Sequence, residues 1–248
     1  MRELFPDMPM CKLAPRHILQ YLDYTKGYSP STRKIQITYF KSIISKANYD
    51  DILPHSLLAE FPDIRVPVKP VTYLTPDEIR LIRDYPWVND DNRRSFIFSC
   101  LTGLRFSDVK KLTWAEITHD FHIQFSQQKT QISKDGNAYA FTRLPLNEQA
   151  IQLIGERRAD NSLVFPRMSN PPSLSKQLKI VARKVGINKD VHFHMARHSC
   201  GVMLANKGVD IYTISKLLGH RKIETTVKFY ANINDEHARE SINKLPII

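Results

Sequence analysis

Apolar residues recur every three or four positions along most of this chain, and the places where that period fails mark its divisions. PRHILQYLDYTK (residues 15–26) and SPSTRKIQITYFKSIISKANY (29–49) both carry the helical period. In the second, Ile35, Tyr39, Ile43 and Ile44 make the apolar face, while Arg33, Lys34, Lys41 and Lys46 populate other faces. The period then stops. FPDIRVPVKPVTYLTP (61–76) has four prolines in sixteen residues and reads as an extended linker. At its end, Thr75-Pro76-Asp77-Glu78 supplies an N-cap, a proline at the first helical position and acids in the first turn, which predicts a helix start. The boundary is therefore placed near residue 69, dividing a small helical domain (1–69) from a larger one (70–248).

The larger domain is helical with one interruption. FHIQFSQQ (121–128) alternates apolar and polar residues, NAYAFTRLPL (137–146) does so more loosely, and Asp135-Gly136 between them is a hairpin-turn signal. SLVF (162–165) has strand character as well. Helical patterns return over 173–186, about 195–207, 211–218 and 223–231, and NDEHARESINKLPII (234–248) reads as a short amphipathic helix with an apolar tail. The prediction is a mainly α fold carrying a small antiparallel β-sheet.

Composition narrows the function. The chain has 248 residues, enough for two modest domains. No apolar run approaches the roughly 20 residues a membrane helix needs, and MRELFPDMPM lacks the features of a signal peptide. Cys11, Cys100 and Cys200 lie far apart and form no CxxC pair, which fits a reducing cytoplasm. The net charge of +11 points to a polyanionic partner. It is concentrated: residues 170–230 hold 11 Lys/Arg against 3 Asp/Glu. No segment joins this charge to a strong apolar helical face, so nucleic acid ranks ahead of an acidic membrane.

HFHMARHSC (192–200) raises the question of metal or phosphate. His194 and His198, four apart, could share a helical face as zinc-binding helices arrange them. The glutamate of an HExxH motif is missing, no remote acidic or cysteine cluster offers a third ligand, and Arg197 inside the cluster would repel a dication. No metal or other cofactor is expected. The phosphate reading recruits distant residues. TGLRFSDVKKLTW (102–114) sets Arg105 beside a glycine turn at a helix start, and QQKTQ (127–131) puts Lys129 late in a strand. HMAR supplies His194 and Arg197, GVDIYTISKLLGH (208–220) ends on His220, and KFYANI (228–233) presents Tyr230 ten residues later.

These fragments, in this order, resemble the tyrosine recombinases, or phage integrases: an arginine after a TG(L/M) turn, a hairpin lysine, HxxR, LLGH, and a tyrosine nine or ten residues on. The resemblance covers about residues 75–235. It implies a metal- and ATP-independent enzyme, an integrase of a mobile element that breaks and rejoins DNA through a covalent 3′-phosphotyrosine. Tyr230 would be the nucleophile, and Arg105, Arg197, His194 and His220 would stabilise the phosphate. Lys129 would protonate the departing 5′-hydroxyl, with Lys134, just before the Asp-Gly turn, as its rival. Asp108 is a candidate to orient Arg105. His198 is a candidate to support the pocket, and Cys200 is expected in the core.

The implied partners are double-stranded recombination sites, with a homotetramer on DNA, a monomer in isolation, accessory DNA-bending proteins and no membrane. The implied location is the cytoplasm of a bacterial host, at the nucleoid. Residues 1–69 resemble only the later helices of a core-binding domain, so a fragment or a minimal member is expected, with weak DNA binding. The C-terminal segment would pack on its own domain or on a neighbouring protomer. Strand relaxation of the type IB topoisomerase kind, a non-cutting DNA-binding regulator and a metal-dependent nuclease remain as rivals.

Overall fold

A computed structural model describes residues 4–5, 7–67, 71–125, 142–220 and 222–230. The chain divides into two compact units, Met1–Lys69 and Pro70–Ile248.

The first unit is built on α1 (Pro15–Tyr24) and α2 (Pro30–Tyr49), followed by a 3₁₀ turn at His55–Glu60. Both helices place proline at their first position, where the missing N–H costs nothing, and the Ser29 hydroxyl caps α2 by accepting from Thr32 N–H. The buried face of α2 differs from the expected one. Ile35, Tyr39 and Ile43 are 56%, 69% and 44% exposed, and of the four expected residues only Ile44 is buried. Ile37, Phe40, Ile44 and Ala47 face inward instead. The cause is tertiary: α2 has apolar residues on more than one side, and the rest of the unit selects one. Phe40 lies 4.5 Å from the ring of Tyr21 and 5.5 Å from that of Phe61, which fixes the helix by its Phe40 side.

The second unit is mainly α with a two-stranded antiparallel sheet. Its elements are α3 (Pro76–Asp84), α4 (Asp90–Thr102), α5 (Phe106–Lys111), β1 (His122–Phe125), β2 (Thr142–Pro145), α6 (Glu148–Ile154), α7 (Pro171–Lys184), α8 (Phe193–Asn206), α9 (Ile211–Leu218) and α10 (Ile223–Tyr230). β1 pairs with β2 in a register that sets His122 opposite Pro145 and Phe125 opposite Thr142. The connection between them, including Asp135-Gly136, lies outside the described residues. SLVF is not a strand. It makes one bridge, Leu163 to Thr113, because the segment beside it turns into a 3₁₀ helix at Trp114 after a single paired residue. Its alternation serves burial instead, with Val164 and Phe165 in the core.

α4 and α8 pack together at the centre of this unit. Phe193, the first residue of α8, meets Phe96 of α4 and Phe106 of α5 edge-on, with centroids 5.8 and 5.2 Å apart. This places the start of α8 against the start of α5. The chain entering the unit is also tied to α8. The Ser199 hydroxyl accepts from Leu74 N–H at 2.8 Å, and Lys189 Nζ reaches Tyr73 O and Glu78 Oε2 at 2.9 and 2.6 Å. Thr75 and Glu78 form the reciprocal capping box at the start of α3.

Candidate active site

Two left-handed turns build the site. α4 ends on Gly103 at φ 70°, and α9 ends on Gly219 at φ 62°. Both conformations disfavour a side chain, which is why glycine stands at each. Gly103 carries a second constraint. A Cβ there would lie 2.3 Å from Leu218 Cδ2, so any side chain at this turn would have to push the buried Leu218 methyl aside. After the first turn the chain runs through Leu104 to Arg105, the N-cap residue of α5. After the second it delivers His220.

Arg197 joins the turns from α8. It is 4% exposed; its Nη1 donates to Gly103 O at 2.7 Å and its Nη2 donates to Leu218 O. Arg105, half-buried, donates through Nη2 to Gly219 O at 3.4 Å. Residues 105, 197 and 219–220, remote in sequence, are thus held in one place by carbonyl groups that helix ends leave without intrahelical partners. Each guanidinium carries its N–H donors in a planar fork, and these bonds fix the orientation of that fork.

The imidazoles are poised neutral. Burial first, then the charges of Arg197 and Arg105, push His220 down to about 4. His220 Nδ1 lies 2.8 Å from the hydroxyl of Thr226, a fully buried residue of α10. His194, one turn before Arg197, is exposed at the rim; partial desolvation, then Arg197, His192 and Arg105, lower its pKa. Its ring meets that of His198 edge-on at 4.6 Å. Burial, followed by His194 and Arg197, pushes His198 down to about 4. Cys200 is buried behind this helix face, and burial raises its thiol to about 12.

The structure therefore gathers Arg105, His194, Arg197 and His220. Tyr230 is the last residue of α10, which packs against α9 and α8, and it stands one turn beyond Thr226. Lys129 and its rival Lys134 lie outside the described residues, as does the segment 231–248. Asp108 accepts from the Ser107 hydroxyl at 3.1 Å and forms no ion pair with Arg105. Among the described residues no three His, Cys, Asp or Glu side chains group as metal ligands, and no helix is long and apolar enough to cross a membrane. Sequence reasoning missed Thr226 and the carbonyls of Gly103 and Leu218. The carbonyls carry no sequence signal, and Thr226 shows only as a hydroxyl six residues after His220.

The sequence model of the phage integrase family matches residues 72–237, about two thirds of the chain. The chain belongs to the phage integrase family. This integrase-family chain is 28% identical over 235 residues to the tyrosine recombinase XerA of Pyrococcus horikoshii, covering 90% of the chain and 76% of that protein. It is 26% identical over 159 residues to the tyrosine recombinase XerC of Pediococcus pentosaceus, covering 58% of the chain and 50% of XerC. The matched region thus spans half of the second relative and about three quarters of the first. The fold resembles that of a Tn1549 transposon integrase fragment solved with a circular intermediate DNA. That match has a TM-score of 0.70 at 17% identity, and covers 98% of this chain and 90% of that one.

Proposed function

We propose that this phage-integrase-family chain is a site-specific DNA recombinase, an integrase of a mobile element, acting through a 3′-phosphotyrosine at Tyr230. The observation that carries the reading is Arg197, which bonds the Gly103 and Leu218 carbonyls and so sets two guanidiniums and a neutral imidazole around one point. That arrangement suits a phosphodiester in transition: planar forks take nonbridging oxygens, and preorganised donors meet the charge that develops there. Support also comes from the relatives named recombinases and from the DNA complex of the transposon integrase.

In this mechanism the Tyr230 oxygen attacks phosphorus while Arg105, Arg197, His194 and His220 hold the phosphoryl oxygens. A phenol of pKa roughly 10 is a weak nucleophile, and the two arginines favour loss of its proton. The bond from phosphorus to the 5′-oxygen breaks, and Lys129 gives that oxygen its proton. The phosphodiester is exchanged rather than hydrolysed, so the 5′-hydroxyl of a second strand reverses the step without metal or ATP. Residues 1–69 act as a partial core-binding domain and residues 70–248 as the catalytic domain. Paired duplex sites assemble four copies of a chain that is otherwise monomeric, with accessory DNA-bending proteins, in the cytoplasm.

The test is covalent capture in EDTA, using labelled nicked duplexes from candidate element ends. The wild-type chain forms an SDS-stable, protease-sensitive adduct, and Tyr230→Phe forms none. Salt-sensitive binding without any adduct would favour a regulator that holds DNA and does not cut it.

A further inference from the structure

We propose that Thr226 is a positioning residue. Its buried hydroxyl donates to His220 Nδ1 and fixes the imidazole as the tautomer that carries its proton on Nε2, leaving that N–H for a phosphate oxygen. The inference rests on the reading of the residues around Arg197 as a phosphodiester site.

His220 is half-buried beside two guanidiniums, and burial with those charges keeps it uncharged at neutral pH. A neutral imidazole has one N–H and one lone pair, and the partner of one nitrogen decides the role of the other. Nδ1 has a partner, the Thr226 oxygen at 2.8 Å, so Nε2 is the nitrogen left for a ligand. A lone pair on Nε2 would face the oxygens of a phosphodiester and repel them, whereas an N–H would donate. Only the arrangement in which the threonine O–H donates to Nδ1 puts the proton there. Thr226 is 0% exposed, so water does not compete for its hydroxyl.

The position of Thr226 adds a second consequence. It belongs to α10, the helix that ends at Tyr230, while His220 belongs to the turn packed against Gly103. One hydrogen bond therefore links the helix of the nucleophile to the turn that aligns both arginines. A displaced α10 breaks it and frees the histidine to change tautomer.

The first measurement needs no DNA. In chain labelled with ¹⁵N at histidine, the His220 signals, assigned by their loss in His220→Asn, report which ring nitrogen carries the proton at pH 7.5. Nε2 is protonated and Nδ1 is not in the wild type and in Thr226→Ser, and the two forms mix in Thr226→Val. A wild-type signal with the proton on Nδ1, or no change in Thr226→Val, overturns the inference. The second measurement is the rate of Tyr230 adduct formation on nicked duplexes. Thr226→Val slows it roughly 10- to 100-fold at unchanged DNA affinity, in the range seen when a hydrogen bond that orients a working histidine is lost, and Thr226→Ser restores most of it. A Thr226→Val chain that adds to DNA at the wild-type rate also overturns the inference. If Thr226→Val does not fold, the serine variant and the wild-type tautomer still decide the matter. The expected tautomer in a chain that forms no adduct at all would count against the recombinase reading and leave the Thr226–His220 link standing.

Discussion

The turns around Arg197 and the helix α2 of the first unit are assembled in opposite ways. At the turns, position is set several times over: by two left-handed glycines, by a contact too close for a Cβ, and by hydrogen bonds from buried or half-buried guanidiniums. On α2 a single apolar contact surface sets the orientation, centred on Phe40, while Ile35, Tyr39 and Ile43 stay in solvent. A residue at the turns has a role fixed by polar geometry, and few side chains can replace it. A residue on α2 has a role fixed by which side its neighbours happen to cover.

This contrast predicts a ranking of substitutions. Arg197→Met should have the largest effect, since in the proposed mechanism it removes a donor to the phosphate, and it leaves two buried carbonyls short of partners. Adduct formation should fall by about 10²–10³-fold, and denaturant unfolding should show a loss of roughly 2–4 kcal/mol. Phe40→Ala should be comparable in stability, at roughly 3–5 kcal/mol for a fully buried ring, with the adduct rate per DNA bound unchanged. A drop in that rate would show the two regions to be coupled. Gly103→Ala should cost about 2–3 kcal/mol, combining backbone strain at positive φ with the clash at Leu218. Leu218→Ala on the same chain should recover part of that loss in a double-mutant cycle, and strict additivity would contradict the close approach.

The histidines give a smaller and graded effect. His198 and His220 titrate near 4 in the folded chain and near 6.5 when unfolded. Between those values the unfolded chain binds protons that the folded one does not. Stability is therefore full above about pH 6.5 and declines as pH falls toward 4, with no further loss from these two below that. Thermal melts of wild type and His198→Gln across pH 4–7.5 check this, the variant showing the shallower slope. Tyr39→Ala should have the least effect, within about 0.5 kcal/mol, as for exposed positions generally.

Legibility in the sequence follows the same division. The capping box at Thr75 and Glu78, the glycine turns and the order of the motif fragments are local patterns, and each is visible in a few adjacent residues. Family membership could be read from the motif fragments, and the mainly α fold with a small antiparallel sheet from the helical period and the alternation at 121–128 and 137–146, although SLVF was expected to add a strand. The face of α2 could not, because Ile35, Ile37, Tyr39, Phe40, Ile43 and Ile44 surround the helix and the choice belongs to Tyr21 and Phe61. SLVF misled for a related reason: alternation marks burial on one side, whereas a strand also needs a neighbour of sufficient length, and Thr113 alone provides it. Thr226 stayed hidden because its role depends on how α10 packs, not on any spacing that a motif records. The carbonyl groups that hold Arg105 and Arg197 in place could not be read either, since a backbone oxygen carries no sequence signal.

The central claim is that Tyr230 becomes joined to DNA. The most direct measurement is mass spectrometry of the protease-digested adduct formed on nicked duplexes in EDTA. A single modified peptide is expected, carrying a 3′-phosphonucleotide on Tyr230. The same nucleotide on another residue, or an equal yield from Tyr230→Phe, would contradict it.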